Sequence, residues 1–128
     1  MTETISTGAE RKAAIRKIAF ANRRNQDNKD DLSRGIMQTF MGLPEYADAL
    51  TIMFYVDVRA EVRTRFDLPK ALKQGKRVVV PWCNDEGELE LFHLESMDEL
   101  EIGMYKILEP APELRNLPEK RVEVTELD

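Results

Sequence analysis

Three observations predict an α/β fold, a three-layer arrangement with a mostly parallel sheet and flanking helices. Segments with helical apolar spacing alternate along the chain with short β-branched runs. Two of those runs, Leu50–Val56 and Arg77–Val80, lack the strict alternation of a half-exposed strand, as buried parallel strands do. Each leads into a short loop, Asp57 to Ala60 before Glu61 and Pro81-Trp82-Cys83, at the strand end where parallel α/β sheets place their ligands. At 128 residues and 42% hydrophobic content, residues 1–128 suit one domain with a modest core.

The first helix runs from about Ala9 to Arg24, because Ile15, Ile18, Ala19 and Asn22 follow i, i+3, i+4 spacing and define a face to be packed. The polar stretch Asn25 to Asp31 breaks it and supplies the next N-cap. Leu32 to Met41 is a second helix with Ile36, Met37 and Phe40 on its packed side, ended by Gly42 and Pro44. Glu45 to Ala49 adds one more turn. After the first strand and its loop, Glu61 to Gln74 reads as helix in two pieces, broken by Asp67-Leu68-Pro69 and closed by Gly75. The second strand ends in Pro81. Asn84 to Gly87 is a turn, and Glu88 to Leu94 alternates as a half-exposed strand does. Met97 to Glu101 is a helical turn, and Glu119 to Val124 either a last short strand or an extended lead-in.

Charge excludes some functions. The net charge is −5, yet Arg11 to Arg24 carries six basic residues and no acidic one, leaving −11 for the remainder. Such a chain suits a small anion held on one helix better than a long polyanion, which calls for a broad basic face. No apolar run reaches membrane-spanning length, and Met1 to Gly8 lacks the pattern of a secretory signal. The single cysteine, Cys83, cannot form an internal disulfide and suits a reducing cytoplasm.

Lys12 and Arg16 lie one turn apart, so they either grip neighbouring phosphate oxygens or form a solvated basic face. Glu61, after a strand and loop, either holds the polar end of a substrate or complements a helix dipole, with Thr64 three residues on bonding back to the helix backbone or capping the helix. Cys83 and His93 are too few for a zinc site; the thiol is expected to be packed and the imidazole partly buried. From Asp85 to Asp128 there are fourteen acidic residues against four basic, as on a solvated surface. No phosphate-binding glycine motif occurs.

Taken in order, Lys12-x-x-x-Arg16, Phe54-Tyr55, Glu61-Val-x-Thr64, Gly75-Lys-Arg-Val-Val-Val-Pro81 and Tyr105-Lys-Ile-Leu-Glu-Pro110 resemble the N-terminal part of the 5-formyltetrahydrofolate cyclo-ligase family. The resemblance implies ATP-dependent cyclisation of 5-formyltetrahydrofolate to 5,10-methenyltetrahydrofolate with Mg²⁺. It places Lys12 and Arg16 at the nucleotide, and Val56, Glu61 and Tyr105 at the folate. The family's later core strands and glycine-rich phosphate segment are not in this sequence, so the domain is expected to be incomplete. The alternative is a truncated, non-catalytic paralogue serving as a binding or assembly module. In either case the resemblance implies an open sheet edge that self-associates or takes a complementary chain.

Overall fold

The computed structural model describes residues 7–103 and 107–128. Helix α1 (Gly8–Asn25) starts at a capping box: the Thr7 hydroxyl accepts from the Glu10 N–H while the Glu10 carboxylate accepts from the Thr7 N–H. Helix α2 (Lys29–Met41) follows Asn28, whose φ of 58° turns the chain but whose side chain makes no capping bond. Helix α3 (Pro44–Asp48) and strand β1 (Thr51–Met53) come next, then a loop, helix α4 (Leu68–Lys73) and strand β2 (Arg77–Cys83). Strands β3 (Leu89–Leu94), β4 (Leu100–Ile102) and β5 (Leu108–Pro110) precede helix α5 (Pro112–Arg115) and strand β6 (Arg121–Val122).

The sheet is mixed where a mostly parallel one was expected. Its order is β1-β2-β3-β6; β1 runs parallel to β2, while β2–β3 and β3–β6 are antiparallel. The cause is the turn after β2. Asn84 Oδ1 accepts from the N–H groups of Glu86 and Glu88, both at 2.9 Å, and Gly87 takes a φ of 77°, so the chain reverses into a hairpin. The turn is legible in the sequence, whereas strand direction depends on where the chain returns.

Strand β2 is central, as expected, but β1 is an outer strand of this sheet and shorter than Leu50–Val56. The Arg77 N–H donates to Leu50 O and the Phe54 N–H to Val79 O, so Thr51 and Met53 direct their backbone groups outward. Asp128 occupies the Thr51 position: its carboxylate accepts from the N–H groups of Leu50 and Thr51, both at 2.8 Å, and its own N–H donates to Thr51 O. Pro81 fits within β2 because its nitrogen faces the β1 side, beyond the end of β1, where no donor is required.

One face of the sheet carries most of the core. Met37, Tyr46, Leu68 and Ala71 from α2, α3 and α4 pack on Ile52, Val78, Val80 and Leu94. On the opposite face Val79, Leu91 and Val122 are covered by Leu127. This second cover is thin among the described residues, so a third layer is not established. Lys120, buried at the end of a 3₁₀ turn (Pro118–Lys120), bonds Glu95 at 2.7 Å and Glu99 at 3.1 Å, tying the C-terminal segment to the turn after β3.

Three packing expectations are corrected. The Ile15–Ile18 face of α1 is open, because α1 buries no residue at all and is sustained by its cap and helix-forming composition. On α2, Met37 and Ser33 are the buried residues; Ile36 faces outward, and Phe40 lies at the margin, edge-on to Tyr46 and Phe54. Residues 61–67 form a loop rather than a helix, held by the side-chain bonds described below. Gly75 closes α4 with a φ of 76°, as its position predicted. No atom would crowd a Cβ there, so Gly75→Ala isolates the backbone penalty: a loss of about 1 kcal/mol is expected in urea unfolding.

Candidate functional site

The loop from Val56 to Asp67 leaves the carboxyl end of β1 and is built around one buried acid. Asp57 is 1% exposed, and its Oδ1 accepts from the backbone N–H groups of Thr64 and Arg65, both at 3.0 Å. The Arg65 Nε reaches both carboxylate oxygens, and Arg63 Nη1 stands 3.6 Å from Oδ2. Burial alone would raise the carboxyl pKa; the Arg65 and Thr64 hydrogen bonds and the Arg65 charge outweigh it and hold Asp57 below its ordinary range. Thr64 completes the clasp, donating its hydroxyl to Tyr55 O at 2.7 Å and accepting from the Asp57 N–H at 3.2 Å.

Glu61 sits at the bend of this loop, half-buried. Its Oε1 accepts from the Val58 N–H at 2.9 Å and its own N–H donates to Val58 O at 3.1 Å, closing a tight turn through Arg59 at a φ of 51°. It therefore does not start a helix, and a dipole role is excluded by position. Arg63 ties the turn to α2: its N–H donates to Ser33 Oγ at 2.9 Å, its Nε to Asp30, and its Nη1 to Arg59 O. The Tyr55 hydroxyl donates to Val62 O; burial pushes this phenol's pKa up, and the charges of Glu61 and Asp57 add to the rise. Val56 is half-buried against the main core.

Glu61 borders a small cavity of about 110 Å³ between the loop and the last turns of α1, where Phe20 and Arg23 face it. Lys12 and Arg16 lie two to three helical turns nearer the N-terminus, exposed, and do not line that cavity. Arg23 is the basic α1 residue that lines this cavity with Glu61; nothing in its spacing separates it from the other five. Tyr105 lies outside the described residues.

A larger cavity, about 840 Å³, opens at the carboxyl end of β2. Trp82, Asn84, Glu101, Glu109 and Arg115 line it, a volume within the range of small-molecule sites. The Arg115 guanidinium lies over the Trp82 ring at 4.2 Å, and its Nε is buried with no hydrogen-bond partner among the described residues. Cys83, expected to be packed, is exposed at this rim because it ends β2 where the sheet gives way to the turn. His93 is half-buried, as expected; burial, then the nearby Lys120 charge, lowers its pKa. Among the described residues no three His, Cys, Asp or Glu side chains converge as a metal cage. No helix among them is long and apolar enough to cross a membrane.

A parallel strand pair, a braced acidic loop at its carboxyl end and an adjoining cavity define a mixed α/β protein with a candidate site at a strand end. A sequence model of the 5-formyltetrahydrofolate cyclo-ligase family matches residues 8–127, and the chain belongs to that family. A curated relative, the probable 5-formyltetrahydrofolate cyclo-ligase of Schizosaccharomyces pombe, is 31% identical over 90 residues, covering 69% of this chain and 44% of its own length. The solution structure of Aquifex aeolicus 5,10-methenyltetrahydrofolate synthetase superposes with a TM-score of 0.76 at 24% identity, over 91% of this chain and 57% of that one. The Mycoplasma pneumoniae 5,10-methenyltetrahydrofolate synthetase gives 0.56 at 24% identity, over 66% and 54%. The chain thus spans about half the length of these relatives.

Proposed function

We propose that this chain serves the ATP-dependent cyclisation of 5-formyltetrahydrofolate to 5,10-methenyltetrahydrofolate. In that reaction the γ-phosphoryl group of ATP passes to the oxygen of the N5-formyl group and ADP leaves. Folate N10 adds to the activated formyl carbon and loses its proton, the carbon–oxygen bond breaks, and phosphate departs. The protein's work is alignment and charge stabilisation.

The observation that carries this reading is the placement of Glu61: a half-exposed carboxylate fixed by a braced turn at the end of a parallel strand, beside a cavity. We assign it to hold the folate, with Val56 as an apolar neighbour and Tyr105 on the same substrate by its place before Ile107-Leu108-Glu109-Pro110. The cavity under Trp82 and Arg115 offers the room a folate ring system requires. Lys12 and Arg16 are assigned to ATP phosphates, Arg as a fork and Lys as a point charge. Magnesium in such reactions rides largely on the phosphates; among the described residues no three His, Cys, Asp or Glu side chains converge to hold it. A reducing cytoplasm is the proposed setting, in keeping with an exposed Cys83 thiol. A second copy or a complementary chain is proposed at the outer edge of β1, where Met53 directs its backbone groups outward.

Titration calorimetry on this chain tests the assignment. Glu61→Ala is expected to weaken 5-formyltetrahydrofolate binding by about tenfold or more and leave ATP binding unchanged, with the converse for Lys12→Ala. Unchanged affinity for both ligands in both variants would return Lys12 to a solvated face and Glu61 to a loop-bracing role.

A further inference from the structure

The cavity at the carboxyl end of β2 is lined by polar groups whose placement costs stability. Glu101 and Glu109 are direct cross-strand partners on the β4–β5 pair, and like charges so opposed repel. Neither has an ion-pair partner among the described residues, although Glu109 is half-buried. The Glu109 carboxylate rests against Gly103, in the space that a Cβ would fill at that position. Arg115 lines the same cavity, stacked on Trp82 at 4.2 Å with its buried Nε lacking an acceptor among the described residues. A buried donor left without an acceptor costs more than a partly exposed cation–π contact returns. Groups kept at such a cost are ones a bound ligand satisfies.

We propose that this cavity takes the aminopyrimidinone head of the folate, with Glu109 accepting from its N3–H and 2-amino group and Arg115 donating to its 4-oxo oxygen. The proposal rests on the folate reading above and names the end of the substrate that enters here. A carboxylate offers two acceptors side by side, matching those two neighbouring donors, and a guanidinium supplies the donor that the carbonyl needs. Charge decides between the two ends of a folate. The glutamate tail carries two carboxylates, which Asp85, Glu101 and Glu109 would repel and a single arginine would not offset. The head is neutral and presents two donors beside one acceptor, the complement of this lining. Trp82 fixes the guanidinium plane, so Arg115 loses little freedom on binding. Strands β1 and β2 are parallel neighbours, so their carboxyl ends lie side by side and one folate can reach both this cavity and Glu61.

Trp82 is the chain's one tryptophan, so its emission reports on this cavity. Titrations with 5-formyltetrahydrofolate, with 5-formyl-6-methyltetrahydropterin as the head alone, and with p-aminobenzoylglutamate as the tail test the proposal. The first two are expected to bind, and Glu109→Gln and Arg115→Lys should each weaken both by about tenfold or more. A 5-formyltetrahydrofolate bearing a methyl in place of the 2-amino group should lose as much against the unchanged chain and little more against Glu109→Gln. Gly103→Ala, whose Cβ displaces only the far end of the Glu109 side chain, should weaken the head likewise and leave the urea midpoint where it was. Tetrahydropterin binding that is indifferent to Glu109→Gln overturns the proposal. So does an Arg115→Lys loss seen with p-aminobenzoylglutamate and not with the pterin, which would give the cavity to the tail. Pterin binding through Glu109 without any binding of 5-formyltetrahydrofolate would uphold the head site and retire the folate reading; no binding of either overturns both.

Discussion

Asp57→Ala is expected to destabilise the chain by about 3 kcal/mol, enough to remove much of the stability of a domain this size. The substitution leaves the buried N–H groups of Thr64 and Arg65 without an acceptor and strands two guanidiniums that now converge on one carboxylate. Because Arg63 and Arg65 are 21% and 38% exposed, water relieves part of that cost, which keeps the figure at the lower end for a broken buried pair. Asp57→Asn retains an acceptor for the two N–H groups and should lose about half as much. Urea midpoints give both numbers.

The same acid sets a pH dependence whose sign is fixed. The folded Asp57 carboxyl is held below the ordinary 3.8, so its contribution is complete above that value and is lost as pH falls through the folded pKa. Wild-type stability should drop with acid in that window, and the Asp57→Asn variant should drop less. Equal acid slopes for the two proteins would remove Asp57 from the account. A second readout follows from the loop's construction: amides from Val58 to Arg65 should exchange faster in Asp57→Asn while those of β2 and β3 do not.

The acid at the centre of this loop was the part the sequence concealed. Glu61, Val56 and Thr64 stand out through a family pattern, but Asp57 looks like any polar residue at a strand end. Its importance comes from where the chain returns: residues 63–65 fold back over it, a contact no periodicity announces. The helical reading of 61–67 failed for the same reason, since side-chain bonds to Asp57, Tyr55 and Ser33 satisfy those backbone groups instead. Signals carried by single residues were readable, as at Gly75, Pro44, the Asn84–Gly87 turn and the alternation of Glu88–Leu94. Strand direction and the open face of α1 were not, because both depend on what lies across the fold. The Thr7–Glu10 capping box was available in the sequence and would have placed the start of α1 one residue earlier.

Leu94→Ala and Leu91→Ala should separate the two faces of the sheet by a wide margin. Both leucines lie on β3 and both are buried, at 0% and 6% exposure, but they point to opposite sides. Leu94 pairs with Val78 beneath α2, α3 and α4, where helices anchored at several points cannot easily close over a vacated volume. Its loss is expected to cost about 4 kcal/mol. Leu91 packs with Val79 and Val122 under Leu127, which follows a short 3₁₀ segment (Val124–Glu126) and can settle into the space. About 2 kcal/mol is expected there, the low end for the same chemistry. Chemical denaturation of the two variants measures the difference directly. If Leu91→Ala cost as much as Leu94→Ala, the second face would be covered as firmly as the first, and the three-layer arrangement expected from the sequence would regain its support.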